Sequence, residues 1–438
     1  MKQSLDLLSA VVRRHAPVHR VGRVTSISSA TIVVEGLSDV ASVGHRVGVG
    51  AGNDLHGEVV QVGSETITVL CDGDLSGVTI GDAIRHVGET QIYPSEAWLG
   101  RLIDGNGAPL DGEALVQGRT GFAIDAKPIS AASRRSMGAR LSTGYAVFDT
   151  MIPIVRGQRI GVFSGSGVGK SSLMAAFARN MEADVVVIAL IGERGREVAH
   201  FVNNVLGPKG LKRSIVVAST SDQSPLMRRR AAFTAMTVAE YFRKSGRHVL
   251  LMVDSVTRLA EAHREIAAAS GEAMSMRGFP ASMTGLLAGF SERAGPGSGA
   301  ESDITAVFTV LVSGSDMEEP VADTLRGLLD GHVVLSRDIA ERGRFPAVDI
   351  LQSVSRSLPE AATKEENEVI AQGRRVLSIY EESEIMLRSG LYQAGSNPQL
   401  DEAVALQPKL DLFASARVNT VEEGFDKLKT ALSADAPD

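Results

Sequence analysis

Read for the spacing of its apolar positions, the chain changes period twice. From about Val21 to Val87 it carries short β-rich runs, Gly22–Ile27, Thr31–Val34, Gly57–Val62 and Thr66–Leu70, separated by Gly, Asp, Asn and Ser clusters. That spacing predicts a small antiparallel β-barrel. A glycine-rich link, Leu99–Gly107 and Pro109–Gly112, reads as turns entering a new domain. Downstream, continuous apolar runs at Ile160–Phe163, Val185–Ile191, Ile215–Ala218, Val249–Val253, Ile304–Val312 and Val333–Leu335 alternate with helical segments. This predicts a mostly parallel sheet buried on both faces. Ser224 followed by Pro225 marks one helix start, the serine as cap and the proline in the first turn. Beyond about Pro359, Val369, Ile370, Val376 and Leu377 recur among acids and arginines, and Ile385–Tyr392, Leu400–Leu412 and Val421–Leu432 continue the pattern. A helical domain is therefore expected to close the chain. Near the start, Leu5, Leu8 and Val12 fall at helical spacing, so residues 1–19 read equally as a docking helix for a partner or as a frayed terminus. The expected division is 1–19, 20–90, 91–358 and 359–438.

Composition narrows the class. With 438 residues, 44% of them apolar, the chain can bury several sizeable cores. Its one cysteine, Cys71, allows no internal disulfide and fits a reducing compartment. Charges at Lys2, Asp6, Arg13 and Arg14 leave no apolar run for a signal peptide or a membrane span, so a cytosolic protein with at most peripheral membrane contact is expected. A net charge of −7 with 4% aromatic residues gives neither the basic surface nor the stacking platform of a dedicated nucleic-acid binder.

The chemistry centres on Ser164–Ser171, which lies between an apolar run and a helical pattern. Gly165, Ser166, Gly167, Val168, Gly169, Lys170, Ser171 and Ser172 are the candidate nucleotide-binding residues of a P-loop. Glycines let backbone amides close around phosphate oxygens, and the following helix offers unpaired N–H groups and a positive dipole end. Lys170 is expected to bridge the outer phosphates of ATP, and Ser171 to place its hydroxyl on Mg²⁺. The usual first glycine of the loop is Ser164 here. Asp254 ends an apolar strand and so sits at the carboxyl edge of the sheet, where it can hold a Mg²⁺-bound water. Glu193 follows another strand, in Gly192–Glu197 with Arg194, Arg196 and Glu197. By spacing alone it serves equally as a water-polarising carboxylate or as part of a solvated salt-bridge loop. Arg228, Arg229 and Arg230 sit in the first turn of a helix, where positive charge opposes the dipole; solvated side chains are the simpler reading, a neighbouring subunit's acids the other.

Together these residues resemble the catalytic subunits of rotary-type ATPases, and most closely the ATPases of type III protein export. The resemblance runs through nearly the whole chain and rests on Leu99–Gly105, Thr143–Gly144, Gly157–Arg159, the P-loop, Gly192–Glu197, Leu251–Arg258, Leu329–Arg337 and Ser353–Arg356. Asp316–Asp323, Arg326–His332 and Ile339–Arg344 look more like the flagellar branch than the virulence-secretion branch, which is the alternative. What the resemblance implies is a small N-terminal β-barrel, a RecA-like α/β P-loop ATPase core with a mostly parallel sheet, and a helical C-terminal domain. It also implies that Glu193 is the catalytic carboxylate, that Asp254 is the acid on the Mg²⁺ side and that Arg194 and Glu197 support phosphate and water. Arg356 matches an arginine finger reaching the next subunit's site, and Phe345 an aromatic residue packing on adenine; from the residues alone they read as a surface arginine and a core aromatic. The implied assembly is a homohexamer at the cytoplasmic face of the export apparatus. Its implied partners are a regulator on the N-terminal helix, a coiled-coil stalk, the export gate and chaperone-bound cargo.

Two other classes fit the sequence less well. An ATP synthase β-type chain takes its finger from a noncatalytic partner, whereas one chain here carries both Glu193 and Arg356, which suits a homohexamer. An RNA translocase of the Rho type wants an aromatic nucleic-acid face in the barrel, and residues 21–87 contain no Phe, Tyr or Trp.

Overall fold

The computed structural model describes residues 19–50, 55–275, 277–312 and 317–433. The expected N-terminal helix and Asp316 of the family signature lie outside the described residues.

Six strands, Val21–Ile27, Thr31–Glu35, Arg46–Val49, Leu55–Val62, Thr66–Cys71 and Ala83–Gly88, close into the expected antiparallel barrel. Alternation sets which side chains face in: Ile32 and Val34 point to the interior with Val24, Leu37, Val47, Val59, Ile67, Val69 and Ile84. Closure leaves no strand edge open to unwanted pairing. Cys71 is buried here, and burial pushes its thiol up to about 12, so it is unreactive at neutral pH.

The central sheet has eight strands in the order Val348–Ser355, Gly331–Leu335, Arg159–Ser164, Ile304–Leu311, Val249–Asp254, Val185–Glu193, Ser214–Thr220 and Leu102–Ile103. All pairings are parallel except that of Val348–Ser355 with its neighbour. The six predicted strands are present. The two outermost strands were not foreseen. Leu102–Ile103 is two residues long and lies in the glycine-rich link that reads as turns, and Val348–Ser355 exposes residues on one side, so it lacks a continuous apolar run.

Helices cover both faces, as burial of both faces requires. One face packs against Pro225–Lys244, Val256–Ala269 and Ser282–Glu292 through Ala235, Phe242, Leu259, Leu287 and Phe290. The Ser224 hydroxyl accepts the Met227 N–H at 3.2 Å and Pro225 opens the helix, as the sequence predicts. The other face packs against the helix after the P-loop, Lys170–Asn180. Its Leu173, Met174 and Phe177 share one apolar interior with Leu406, Leu410, Phe413, Phe425 and Leu428 of the C-terminal helices. Those helices are Lys364–Arg388, Pro398–Ser415 and Val421–Leu432; the first runs through Ile385 and ends before Leu391 and Tyr392.

The barrel joins the core differently. Arg229 pairs with Glu58, Arg230 reaches Glu58 at 3.4 Å, Asp72 at 3.1 Å and Asn106 at 2.9 Å, and Arg228 holds Glu265 at 2.7 Å. The three arginines are therefore neither solvated nor directed at another subunit: they are fastened to acids of their own chain, and Arg230 is only 2% exposed. Ion pairing and burial of their stems offset the unfavourable helix-start position. A small apolar cluster of Leu70, Leu226 and Ile266 completes this junction.

Candidate active site

The P-loop strand ends at Ser164, which is fully buried, so the serine that replaces the usual glycine forms part of the strand rather than of the cradle. Gly165–Gly169 turn into the helix that starts at Lys170. Val168 is buried and anchors the loop, while Ser166, Gly167, Ser171 and Ser172 are exposed around it, available to a ligand. Gly169 is left-handed at φ +86°, and a Cβ there would stand 3.0 Å from the Phe345 ring. Only glycine meets both conditions without strain. This contact places Phe345, half exposed at 50%, against the P-loop and not in the core.

Lys170 forms an ion pair with Asp254. Asp254, on the strand one removed from the P-loop strand, is 4% exposed, and its Oδ1 also accepts the Thr309 hydroxyl at 2.7 Å. Glu193 ends the next strand. The ladder to Ser214–Thr220 slips between Ile191 and Glu193, where Gly192 is left-handed at φ +67° beneath the Arg258 side chain. That irregularity re-aims the strand end, and Glu193 comes within electrostatic reach of both Asp254 and Lys170. Burial pushes Glu193 up to about 7; the Asp254 charge adds to the rise, Lys170 opposes it, and a hydrogen bond with Glu197 adds to it again. A carboxylate poised near neutrality is matched to general-base work. Arg258 pairs with Glu261 at 2.8 Å, and that bond, with a contribution from the Glu193 charge, raises its pKa further. Arg194 and Glu197 are exposed, 3.8 Å apart, at the start of Gly195–His200. Among the described residues no cluster of three or more His, Cys, Asp or Glu could hold a metal alone. Asp254, paired with Lys170, and the exposed hydroxyl of the adjoining Ser171 are the oxygen donors that fit Mg²⁺, which binds through one or two protein oxygens completed by phosphates and water.

Arg356 is not in this group. The sheet register places Ser164 level with Leu335 and Val348, and Gly331 level with Ser355. Ser355 therefore lies about 13 Å along the strands and about 10 Å across them from the P-loop, and Arg356 continues away from it. Its guanidinium is exposed, donates to the Arg326 carbonyl at 3.1 Å, and makes no ion pair with the described residues. Sequence reading missed Thr309 and Arg258. The signal for Thr309 is a hydroxyl inside an otherwise apolar strand beside the strand that ends in Asp254.

Known proteins share this sequence pattern and fold. The ATP synthase alpha/beta family nucleotide-binding domain matches residues 144–355, and the T3SS EscN ATPase C-terminal domain matches residues 362–426. The flagellum-specific ATP synthase of Treponema pallidum is 42% identical over 93% of this chain and 92% of its own length. That of Caulobacter vibrioides is 40% identical over 98% and 99%. Among solved structures, the assembled ATPase EscN of the enteropathogenic E. coli type III secretion system superposes with a TM-score of 0.88 at 34% identity, covering 94% of this chain and 100% of that one. EscN in complex with its central stalk EscO gives 0.86 at 35% identity over the same shares. With a P-loop, a buried Lys170–Asp254 pair and a neutral-range Glu193 on a fold shared along almost its whole length with these proteins, the chain belongs to the ATP synthase alpha/beta family, and within it to the ATPases of flagellar type III protein export.

Proposed function

We propose that this chain hydrolyses ATP to drive flagellar protein export, as the repeating subunit of a homohexameric ring. The carrying observation is Glu193, held near neutral pKa within electrostatic reach of Lys170 and Asp254 at the mouth of the P-loop. The P-loop amides and Lys170 bind the ATP phosphates, Phe345 packs on adenine, and Ser171 and Asp254 hold Mg²⁺. Bound Mg²⁺ neutralises charge on the phosphates. Glu193 takes a proton from the attacking water, and Arg194 and Glu197 steady the phosphate and the water network. Arg356 serves the neighbouring subunit's site, which its distance from its own P-loop and its lack of an acidic partner among the described residues support.

In this reading residues 1–19 take a regulator, 20–90 form the collar, 91–358 hydrolyse ATP and 359–438 face the machinery that uses the work: a stalk, the export gate and chaperone-bound cargo. The ring works in the cytoplasm, docked peripherally at the inner membrane. No helix among the described residues is long and apolar enough to cross a membrane. A chromosomal deletion scored for motility and for effector secretion tests the assignment. Lost swimming with intact effector secretion is the expected result; intact swimming with lost secretion would transfer the chain to the virulence branch.

A further inference from the structure

We infer that Thr309 is a positioning residue for Asp254, fixing which carboxylate oxygen faces the metal side of the site. This rests on the reading of Asp254 as the acid that supports Mg²⁺. Thr309 lies on Ile304–Leu311, the strand wedged between the P-loop strand and the strand ending in Asp254. The register pairs Val253 with Phe308, which sets Thr309 directly beside Asp254. It is fully buried, in a strand whose Val307, Phe308 and Val310 are apolar and buried as well.

A buried hydroxyl in such a strand is unfavourable unless bonded, and valine would fill the same shape without that cost. Packing alone therefore gives no reason for threonine. Its single proton goes to Asp254 Oδ1 at 2.7 Å, with Val253 O farther off at 3.3 Å. The same Oδ1 pairs with Lys170. These two partners differ in permanence. Lys170 is on a flexible stem and must serve phosphate when nucleotide binds, whereas Thr309 is held by the sheet and has one well-restricted torsion. When the lysine leaves, Thr309 still occupies Oδ1 and holds the carboxylate plane, so Oδ2 remains the oxygen turned to the metal side.

The test measures nucleotide binding with and without Mg²⁺, using a fluorescent ATP analogue, and Mn²⁺ binding in the presence of nucleotide by electron paramagnetic resonance. Thr309→Val should leave metal-free nucleotide affinity within about twofold, weaken Mn²⁺ binding about tenfold and lower kcat by a similar factor, since misplacing a metal's supporting partner typically costs 10–100-fold. Thr309→Ser, which keeps the hydroxyl, should restore both; Thr309→Ala serves as the second hydroxyl-free variant should valine fail to fold. Asp254→Asn is the control for the underlying reading. If Asp254→Asn weakens Mn²⁺ binding but neither hydroxyl-free variant does, the inference about Thr309 is overturned alone. If Asp254→Asn leaves Mn²⁺ binding unchanged, the metal role of Asp254 falls and this inference with it. Failure of Thr309→Ser to rescue would also overturn it.

Discussion

In the proposed function, the two ends of the central sheet hold complementary halves of one reaction. At the loop end, Lys170, Asp254, Glu193 and Phe345 converge on the P-loop, with buried charge and a carboxyl group pushed to about 7. At the other end, Arg159 is locked to Asp330 at 3.0 Å and to Glu292, while Arg356, whose backbone N–H donates to the Asp330 carbonyl at 2.9 Å, leaves its guanidinium exposed. One end has the phosphate loop, its lysine and the acids; the other has an arginine without an acidic partner among the described residues and no phosphate loop. Under that proposal the chain completes its chemistry head to tail with copies of itself, which is the contact that closes into a ring.

The strongest way to break this comparison is Arg356→Ala. A finger arginine is worth about 10³–10⁵ in rate, so steady-state ATPase activity should nearly vanish while fluorescent-nucleotide binding holds; a loss under tenfold would leave the far end of the sheet without a catalytic role. Glu193→Gln should lower kcat about 10²- to 10⁴-fold with ATP affinity near normal, the range for a general base. Activity within a few-fold of wild type would remove Glu193 from the role. The pH profile sharpens the loop end. Because Glu193 must be ionised to accept a proton and its free-enzyme pKa is raised, kcat/KM should fall below about pH 7, close to tenfold per unit, and Glu193→Gln should abolish that limb. Phe345→Ala should weaken ATP binding about tenfold, within the ~1–3 kcal/mol of a base-stacking contact, and Phe345→Tyr should keep it. The smallest effect bears most directly on the ring. Mixing Arg356→Ala with Glu193→Gln subunits restores both groups at about a quarter of interfaces if assembly is random. ATPase activity should rise toward that fraction, and no recovery in rings shown by mass spectrometry to be mixed would argue against action between subunits.

Much of this was legible in the chain because the signals are local. The P-loop needs glycines at fixed spacing, and Gly169 shows why: a left-handed turn with an aromatic ring where a Cβ would sit. Parallel strands buried on both faces write themselves as apolar runs, and all six such runs are strands. What stayed hidden depends on partners distant in sequence. Arg229 and Arg230 look solvated until the barrel brings Glu58 and Asp72 to them, and Arg228 until the helix Val256–Ala269 brings Glu265. Val348–Ser355 is an edge strand with one open face, so its composition is mixed. Phe345 by composition belongs in a core and is half exposed beside the P-loop, and Thr309 acquires meaning only when the sheet sets it next to Asp254. From the residues alone Glu193 reads equally as a catalytic group or part of a surface ion pair; its burial and its electrostatic reach to Asp254 and Lys170 separate it from Arg194 and Glu197, which remain at the surface.

The unequal fastening of the two flanking regions has a mechanical consequence. The helix that begins at Lys170 shares a continuous apolar interior with the C-terminal helices, and closely packed interiors transmit displacement because they barely compress. The barrel is held instead by a knot of arginines and acids around three apolar side chains. A sideways push on the far tips of the C-terminal helices therefore arrives at the phosphate loop as it would along a lever, while the barrel stays behind as a fixed rim, so strain from outside the molecule can be felt by bound nucleotide and the opening of the phosphate grip can be returned as movement.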